Sequence, residues 1–509
     1  LFTTSAVAQD SNHTENIEKI IVTGQKFDRT LQETPTSVAV ITAKQIEEQQ
    51  LYDFYDVIES TVNVTGDFGS EFTIRGINSF NVSGGGNSFL TSVYLDGAPL
   101  PQRLISQGGF STWDASQVEF LRGPQSTLQG RNALAGAVVV NTKDPTYEWQ
   151  GKGRLVMGEY GQQEAAITIG GALVEDQIAF RFSGEKRDFD GFNENITRNE
   201  TSDFNNNEFY RLKVLFEPSF IDDFSAILSA SHHEIDTGVF WTEGGFENGI
   251  ERGINHRINT FDAPTFEYNN TDIFSLDINY EMSDIWSFRS ITTYSDAEWG
   301  YEWDGDASSA PDAILLNNRV DETISQEFRF TFEYEKLTGI VGAYYSDLEY
   351  NQVMTGQRNL ALESLGVKSI LVAPAEYGGL GLPPAYAGYI MSLYGDVDPV
   401  LLGQNDRQYS KVTNQALFAD FTYTLTEQIS IFAGIRWDHE SQENSSDSLY
   451  SVDNAHLLPD PANAALDPVT AQVVGGLNAL LMQMTVDASG EKPLADNDFS
   501  EVLPKLGAS

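Results

Sequence analysis

Few side chains in this sequence have the types and the spacing that catalysis or metal binding requires. His232 and His233 are adjacent in a strand-like segment, where neighbouring side chains point to opposite faces, so the two rings cannot easily bind one metal ion. The acidic segment Asp304–Asp306 lacks the twelve-residue pattern of a calcium loop, and solvation of an outer loop explains it better. The glycine-rich segment Ser83–Asn87 lacks the strand–turn–helix context of a phosphate loop. We therefore predict that the chain is not an enzyme and holds no cofactor and no metal.

The composition excludes several classes of protein. The 509 residues contain 30 Lys and Arg against 74 Asp and Glu, and the net charge of −44 argues against a nucleic-acid binder, because phosphate recognition needs basic patches. Cysteine is absent, which excludes a disulfide scaffold, a cysteine-ligated metal and a thiol nucleophile. No apolar run reaches the roughly 18 residues of a membrane-spanning helix, so a membrane role requires a β-barrel or a surface attachment.

Two regions of different periodicity must position any functional residues. Up to about residue 145 the chain mixes a predicted helix, Ala43–Glu59, with short predicted strands such as Ser37–Thr42 and Val93–Leu95, which indicates a compact α+β domain. From Gly151 onwards apolar and polar residues alternate, as they do over Glu327–Tyr334. Alternation of this kind predicts strands with one apolar and one polar face, which a soluble sandwich or a propeller would also have.

The connections between these predicted strands favour a barrel. We predict about twelve strands, near residues 152–159, 163–173, 177–187, 208–217, 223–235, 271–281, 285–298, 321–334, 338–351, 412–425, 428–441 and 500–509. After the first strand, very short turns alternate with connections of tens of residues, whereas a propeller would have equal blade periods. Alternation of short and long connections is typical of an outer-membrane barrel with short periplasmic turns and long extracellular loops.

Four segments of the first region carry the motifs of a known family. They read FTIRGI at Phe72–Ile77, VYLDGAP at Val93–Pro99, VEFLRGPQSTLQGRNA at Val118–Ala133 and AVVVNTKDP at Ala137–Pro145. In this order they resemble the plug of the TonB-dependent outer-membrane receptors. The resemblance implies an all-β, antiparallel membrane barrel, expected to have 22 strands when complete and about twelve here, with an N-terminal α+β plug domain in its lumen. The plug residues to which it assigns structural roles are Arg75, Gly76, Asp96, Gly97, Arg122, Gly123, Pro124, Gly130, Arg131 and Asn132.

The resemblance also divides the chain. Residues 1–8 are expected to be the remnant of a signal peptide with the cleavage pattern Ala6-Val7-Ala8, and residues 9–34 an N-terminal extension. Residues 35–145 form the expected plug domain, and residues 146–509 a partial barrel that lacks its C-terminal strands. We therefore expect the chain to be incomplete at both ends.

A strand-prone run in the extension resembles the TonB box, the segment that pairs with the energy-transducing protein TonB. Its β-branched residues and its lack of proline suit addition to the edge of a partner's sheet. An ordinary plug strand is the alternative, and as a box the run should be loosely held. The predicted TonB-binding residues are Glu18, Lys19, Ile20, Ile21, Val22, Thr23 and Gly24.

By this resemblance the chain is expected to import a scarce, bulky solute across the outer membrane with energy supplied through TonB. A ferric siderophore is the family default, and cobalamin, haem, glycans and aromatic metabolites are other possible substrates. The alternative is a passive plugged porin or a surface adhesin; a secreted hydrolase has no supporting motif. The expected partners are TonB, outer-membrane lipid and a small solute such as a ferric chelate, with no nucleic acid, and the protein is expected to be a monomer in the cell outer membrane.

Two further sets of residues are predicted from the plug. Arg75, Arg122 and Arg131 should pair with barrel carboxylates such as Glu327 or Glu333, which face inward if Phe328 and its alternate neighbours face lipid. Substrate contacts are expected from the plug loops, where aromatic side chains give large contact area at low entropic cost. The predicted substrate-binding residues are Asn78, Phe80, Asn87, Phe89, Arg103, Phe110 and Trp113.

Overall fold

The computed structural model contains an N-terminal α+β region surrounded by a long antiparallel sheet. It describes residues 20–508 except 27–28, 33, 35, 68–70, 80–89, 102–103, 106–109, 130–132, 240–244, 248, 253–254, 427 and 488–494. Of the residues singled out above, Glu18, Lys19, Phe80, Asn87, Phe89, Arg103, Gly130, Arg131 and Asn132 lie outside the described part, as do residues 1–8 and the glycine-rich segment Ser83–Asn87.

The N-terminal region is built on a five-stranded sheet with the order β3-β9-β10-β7-β8, in which β10 and β7 are parallel. Its elements are β1 (Ile21–Val22), β2 (Arg29–Thr30), β3 (Val38–Thr42), α1 (Ala43–Gln49), α2 (Phe54–Ser60), β4 (Val64–Asp67), β5 (Glu71–Ile74), β6 (Ile77–Asn78), β7 (Thr91–Leu95), β8 (Ala98–Pro99), β9 (Ala115–Arg122), α3 (Ser126–Gln129) and β10 (Gly136–Thr142). The mixture of helices and short strands confirms the predicted α+β plug.

The single helix predicted over Ala43–Glu59 is wrong, because the structure has two helices there. Thr42 caps α1, which ends where Gln50 adopts a left-handed backbone with φ of 56°. Asp53 then caps α2 by accepting hydrogen bonds from the N–H groups of Tyr55 and Asp56. The capping box of Asp53 and Asp56 is the local signal for a second helix start that the apolar spacing hid.

The core of the N-terminal region is aromatic and reaches the barrel wall. Phe54 of α2 is fully buried, stacks on Phe110 with ring centroids 4.9 Å apart, and meets the ring of Phe72 edge-on at 5.8 Å. Ile235 and Ile273 from the surrounding sheet pack into the same apolar cluster. The plug therefore shares part of its core with the wall that encloses it.

Twelve long strands form the surrounding sheet, as predicted. Each pairs antiparallel with the next along the chain, and the two edges of this sheet are its first and last long strands. The elements of this region are β11 (Gln150–Met157), β12 (Gln163–Val174), β13 (Ile178–Phe189), β14 (Glu194–Asn195), β15 (Glu200–Thr201), β16 (Asn205–Phe216), β17 (Phe224–Gly238), β18 (Gly245–Glu247), β19 (Ile250–Arg252), β20 (Ile258–Asn259), β21 (Phe266–Glu281), β22 (Trp286–Asp304), β23 (Ala313–Glu333), β24 (Leu337–Leu360), α4 (Val367–Val372), α5 (Pro384–Ser392), β25 (Val400–Thr426), β26 (Ile429–Val452), α6 (Pro468–Met482), β27 (Val486–Asp487) and β28 (Ala495–Ala508).

The predicted alternation of faces is confirmed in the sheet. In β23, Phe328 and Phe330 are exposed on the outer face, while Glu327, the residue before Phe328, is buried on the face toward the plug. Phe332 also has the outward parity, but the rings of Trp286 and Phe421 cover it at 5.0 and 5.9 Å. An apolar outer face with aromatic clusters near one rim is what a lipid-facing barrel surface requires.

Several strands are longer than predicted. Strands β22 to β26 run for 19 to 27 residues, so the predicted ends at 298, 351 and 441 were too early and the predicted starts at 321 and 412 were too late. In the extensions of β23 to β26 apolar and polar residues do not alternate regularly although the backbone pairing continues, which is why periodicity could not detect them. The connection 305–312 is correspondingly short. Asp304 is buried, so the prediction that solvent surrounds this acidic segment is wrong for Asp304.

Two long connecting segments, 361–399 and 453–485, fold together into a helical cap. The apolar faces of α4, α5 and α6 share one buried cluster that includes Leu371, Ile390 and Leu477. The hydroxyl of Tyr394 lies 2.8 Å from Oδ1 of Asn478, across the two connections. Burial raises the pKa of Tyr394, which therefore stays a neutral hydrogen-bonding group. Among the described helices, none is long and apolar enough to cross a membrane.

The alternating connections generate a prediction about orientation. The turns 175–177, 217–223, 282–285 and 334–336 lie on one rim and the long connections on the other, which the family resemblance places outside the cell. An epitope tag inserted after Gly378 should bind antibody on intact cells, and a tag after Ser283 should bind only after permeabilisation. Labelling of the tag at Ser283 on intact cells would reverse the orientation.

Candidate functional site

The predicted TonB-binding run lies as a short hairpin against the plug. From Ile20 onward it is described, and Ile21 and Val22 of β1 pair with Thr30 and Arg29 of β2. The side chain of Val22 is fully buried. This position does not match the expectation of a loosely held run, because residues 20–26, called the N-terminal segment below, make specific contacts with both plug and barrel.

The carboxylate of Glu119 in β9 holds the N-terminal segment. The residue is fully buried, and its Oε1 and Oε2 accept hydrogen bonds of 2.9 Å from the backbone N–H groups of Thr23 and Gly24. The Thr23 hydroxyl donates a third bond at 2.7 Å, and Gln117 and Asn141 supply further amide donors. Hydrogen bonds to a charged acceptor contribute about 1.5–3 kcal/mol each, so Glu119 is the main attachment of the segment.

Gly24 lies very close to the side chains of the neighbouring plug strands. A Cβ atom at this position would lie 2.6 Å from Cδ1 of Leu121 and 3.0 Å from Oε2 of Glu119. The carbonyl of Gly24 also accepts a hydrogen bond from the side chain of Gln129, the residue that stands where the family usually has Tyr. A side chain at this position would therefore force the side chains of Leu121 and Glu119 to move.

A second attachment joins the N-terminal segment to the barrel. Nζ of Lys26 lies 2.7 and 2.8 Å from the two carboxylate oxygens of Glu327 in β23, and Arg329 shares the same carboxylate. The ammonium also lies 4.7 Å from the ring centroid of Phe418. Burial lowers the pKa of Lys26 to about 7, and the charge of Glu327 opposes that shift.

The predicted pairing of plug arginines with Glu327 or Glu333 is wrong for the described residues. Arg75 is exposed and donates to the hydroxyl of Ser37 at 2.7 Å. Nε of Arg122 has no hydrogen-bond partner in the described part of the chain, and Glu333 is exposed near a short turn. Glu327 does face inward as expected, but Lys26 is its partner.

The remaining residues with predicted structural roles lie at tight turns of the plug. Arg75, Gly76, Gly97 and Gly123 have positive φ angles of 55°, 77°, 86° and 91°, and Pro124 follows directly after β9 and Gly123. These backbone angles agree with turn positions, and the roles themselves stay predictions.

Asp96 connects two plug strands and the wall. Its carboxylate accepts hydrogen bonds from the backbone N–H and hydroxyl of Thr142, at 2.8 and 2.6 Å, and lies 3.0 Å from Nζ of Lys213 in β16. Burial alone would raise the pKa of Asp96, but Lys213, Arg211 and the Thr142 bonds hold it below its ordinary value. The carboxylate therefore stays charged and ties the plug to the wall.

The predicted substrate contacts are only partly described. Asn78 is half-buried in β6. Phe110 belongs to the aromatic core, and Trp113 is buried, with its indole N–H donating to the carbonyl of Ile167 at 3.1 Å. Neither aromatic ring presents a surface to a solute in this conformation, which argues against the prediction for both. The aromatic type alone could not distinguish a binding contact from a packing contact.

A cavity of about 430 Å³ lies between the plug and the wall beside the N-terminal segment. The segment itself, plug strands β7, β9 and β10, and wall strands β16, β17, β21, β22 and β23 contribute to it. Sequence reasoning missed this space, as well as Glu119 and Lys26. The one local signal was a carboxylate inside the apolar run Val118–Leu121. The residues that line the cavity are Ile21, Thr23, Lys26, Tyr94, Asp96, Gly97, Ser116, Gln117, Gln129, Val139, Asn141, Thr142, Asp144, Lys213, Ile227, Ser229, Ser275, Asp277, Arg289, Ile291, Glu327 and Arg329.

An α+β plug inside an antiparallel sheet with an apolar outer face defines a plugged outer-membrane β-barrel. Residues 30–137 match the profile of the TonB-dependent receptor plug domain, and residues 231–509 match the TonB-dependent receptor-like β-barrel. The chain therefore belongs to the TonB-dependent receptors, and its place is the outer membrane.

The similar proteins include receptors and a transporter. The chain is 25% identical to the ferrioxamine receptor of Yersinia enterocolitica over an alignment of 337 residues. This alignment covers 60% of this chain and 43% of that receptor. It is 24% identical over 303 residues to the vitamin B12 transporter BtuB of Vibrio vulnificus, covering 57% and 44%. The chain thus spans less than half the length of these curated relatives.

Solved structures agree in fold. The ferric yersiniabactin uptake receptor FyuA from Yersinia pestis superposes with a TM-score of 0.67 at 15% identity, covering 93% of this chain and 62% of that one. The open form of the ferric-catecholate import receptor Fiu from E. coli K12 gives a TM-score of 0.61 at 16% identity, covering 95% and 68%. At such identities the likeness shows the fold alone.

Removal of the Glu119 charge should release the N-terminal segment. Because the chain has no cysteine, a single Val22→Cys substitution reports exposure of the segment through its rate of thiol labelling. Glu119→Gln keeps the shape but weakens at least two charged hydrogen bonds, so we expect labelling to accelerate by about tenfold or more. The exposed residue Glu148 provides the matched control, and Glu148→Gln should leave the rate unchanged. Equal rates in all three proteins would mean that the segment is held without Glu119.

Proposed function

We propose that this chain is the plug and part of the barrel of an energy-coupled importer, which moves a ferric siderophore or a similar bulky solute across the outer membrane with TonB as its partner. Membership of the TonB-dependent receptors supports this proposal, as do the names of relatives that are ferrioxamine receptors or vitamin B12 transporters. The predicted TonB-binding roles of residues 18–24 are part of the same proposal.

The observation that carries the proposal is the double attachment of the N-terminal segment. Glu119 binds it to the plug through backbone N–H groups, and Lys26 binds it to the barrel wall through Glu327. Three of the segment's residues, Ile21, Thr23 and Lys26, also line the cavity between plug and wall. Withdrawal of the segment therefore breaks a plug contact and a wall contact at once and widens a space that already exists.

The hairpin leaves one edge of β1 suited to strand addition. The N–H of Leu31 donates to the carbonyl of Ile20 at 3.1 Å, so residues 20 and 31 form a hydrogen-bonded pair and Ile21 occupies the next, non-hydrogen-bonded position. The backbone groups of Ile21 then point away from β2, and its carbonyl accepts from Gln117 at 2.9 Å. A partner strand such as one from TonB can compete for this edge through main-chain bonds.

A passive plugged porin or an adhesin, the alternative from the sequence, has no observation in its favour. The plug core includes Ile235 and Ile273 of the wall, and the plug bonds to strands as far apart as β12 and β23. An open aqueous route therefore requires movement of the plug, which a passive pore does not provide.

Substitution of Ile21 should separate uptake from binding. Ile21→Pro removes an N–H and fixes φ, so it should abolish pairing with a partner strand, whereas Ile21→Ala keeps the backbone and should be milder. In cells that produce the full-length receptor, ⁵⁵Fe-labelled ferrioxamine B should still bind at the surface of the Ile21→Pro variant, and its accumulation should fall by about tenfold or more.

Two results would contradict this expectation in different ways. Normal accumulation by the Ile21→Pro variant would mean that the segment is not the coupling site or that uptake is not energised. Loss of surface binding together with accumulation would mean that residues 20–24 serve only the plug fold, as an ordinary strand would.

A further inference from the structure

One buried cation of the barrel wall lacks the partner that its neighbours have. Arg211 in β16 is only 3% exposed, yet neither Nη1 nor Nη2 has a hydrogen-bond partner among the residues that the structure describes. Burial of a charged group without a hydrogen-bonding partner is costly, so such a group is uncommon in a folded interior.

The carboxylates that act on Arg211 are already engaged elsewhere. Asp114 accepts two hydrogen bonds from Arg181, at 2.6 and 2.5 Å, and one from Ser183 at 2.6 Å. Asp96 accepts from Thr142 and lies 3.0 Å from Lys213. Both carboxylates compensate the charge of Arg211 from a distance, and its two terminal nitrogens stay available as donors.

The position of Arg211 relates it to the cavity. Lys213, which lines the cavity, lies two residues away on the same inward face of β16, and Arg211 and Lys213 lie opposite Ser231 and Ser229 of β17. The cavity reaches solvent near Asp144 and Arg289, whose side chains are 61% and 42% exposed. Arg211 does not itself line the cavity, but it lies two residues along β16 from Lys213, which does.

The cavity itself carries no spare charge. Its cations are paired with its carboxylates: Lys26 with Glu327 at 2.7 Å, Lys213 with Asp96, and Arg289 with Asp277 at 2.5 Å, while Arg329 shares Glu327. A solute that enters the cavity therefore meets polar but neutralised walls, and Arg211 is the group beyond it with free donors.

The surroundings of Arg211 suit a planar anion. The guanidinium lies 4.6 Å from the ring centroid of Phe209, which holds it in one orientation, and the same ring contacts His233 at 4.9 Å. Nε2 of the buried His233 is also without a partner among the described residues. A guanidinium fixed by stacking, with free terminal nitrogens, matches the geometry of a carboxylate.

We propose that Arg211 is an oxyanion-binding residue on the route of the solute between plug and barrel wall, and that the solute carries a carboxylate or a similar oxyanion. The proposal rests on the import function proposed above and adds the chemical class of the solute and the side of the barrel along which it passes. The chain's net charge of −44 gives this role a reason, because an anionic solute would be repelled where no free cation faces it.

The test uses thiol reagents of opposite charge on the purified, detergent-solubilised protein without TonB. Ser231→Cys places a single thiol opposite Arg211, and Ser229→Cys places one opposite Lys213 as the matched control. The probes are the anionic sulfonatoethyl and the cationic trimethylammonioethyl methanethiosulfonates, and neutral methyl methanethiosulfonate normalises for access. At Ser231→Cys we expect the anionic reagent to react about tenfold faster than the cationic one, because a fixed charge concentrates counter-ions in a narrow space.

Removal of the guanidinium should abolish this preference at one position only. In Arg211→Met and Arg211→Gln, the ratio of the anionic to the cationic reaction rate at Ser231→Cys should fall to near unity. Arg211→Lys should keep most of this rate ratio. The same rate ratio at Ser229→Cys should change by less than about twofold in each variant. Heat-modifiable electrophoretic mobility checks that each variant is folded.

Three outcomes would overturn the proposal. The first is that the anionic reagent does not react faster than the cationic one at Ser231→Cys, and the second is that its faster reaction there survives Arg211→Met and Arg211→Gln. The third is that Ser231→Cys does not react at all while Ser229→Cys does. Because the measurement needs neither TonB nor a transported solute, its failure is distinguishable from failure of the import function, which the accumulation assay with Ile21→Pro measures.

Discussion

The attachment of the N-terminal segment depends on one physical requirement, which is that the buried carboxylate of Glu119 must be surrounded by donors. Plug side chains supply amides, from Gln117 and Asn141, and the N-terminal segment supplies the backbone N–H groups of Thr23 and Gly24 and the Thr23 hydroxyl. Two of the three bonds that the segment donates to Glu119 come from its backbone, and these two do not depend on the identity of a side chain. Detachment leaves a buried charge short of donors, which favours return of the segment once any external force ends.

Polar contacts also contribute to the wider interface between plug and barrel. Apolar contacts cross it where Ile235 and Ile273 enter the plug core and where Leu128 packs on Ile340 and Phe418. Many of the other contacts are ionic or hydrogen-bonded, as in the pairs Asp114–Arg181 and Asp96–Lys213. Water can replace such bonds when two surfaces separate, whereas a large apolar interface would lose its burial without compensation. A polar interface of this kind holds the plug in a defined position and still permits it to move.

The sequence predicted the fold better than the site, for physical reasons. Alternation around Phe328 and Phe330 reveals a strand because one face is apolar and the other polar, and it is absent from the extensions of β23 to β26, where only the backbone pairing continues. The site depends on contacts between distant residues: Thr23 and Glu119 are 96 positions apart, and Lys26 and Glu327 are 301 apart. No local pattern encodes such a pairing, so the plug arginines were assigned to a carboxylate that Lys26 occupies.

The helical cap has a consequence for how this surface can change over time. Its apolar cluster draws on both long connections, and Tyr394 of one is bonded to Asn478 and to the carbonyl of Val474 of the other. Loss of either connection would expose the apolar face of its counterpart. The two connections therefore form a single unit of variation, because a change in the buried face of one requires a matching change in the other.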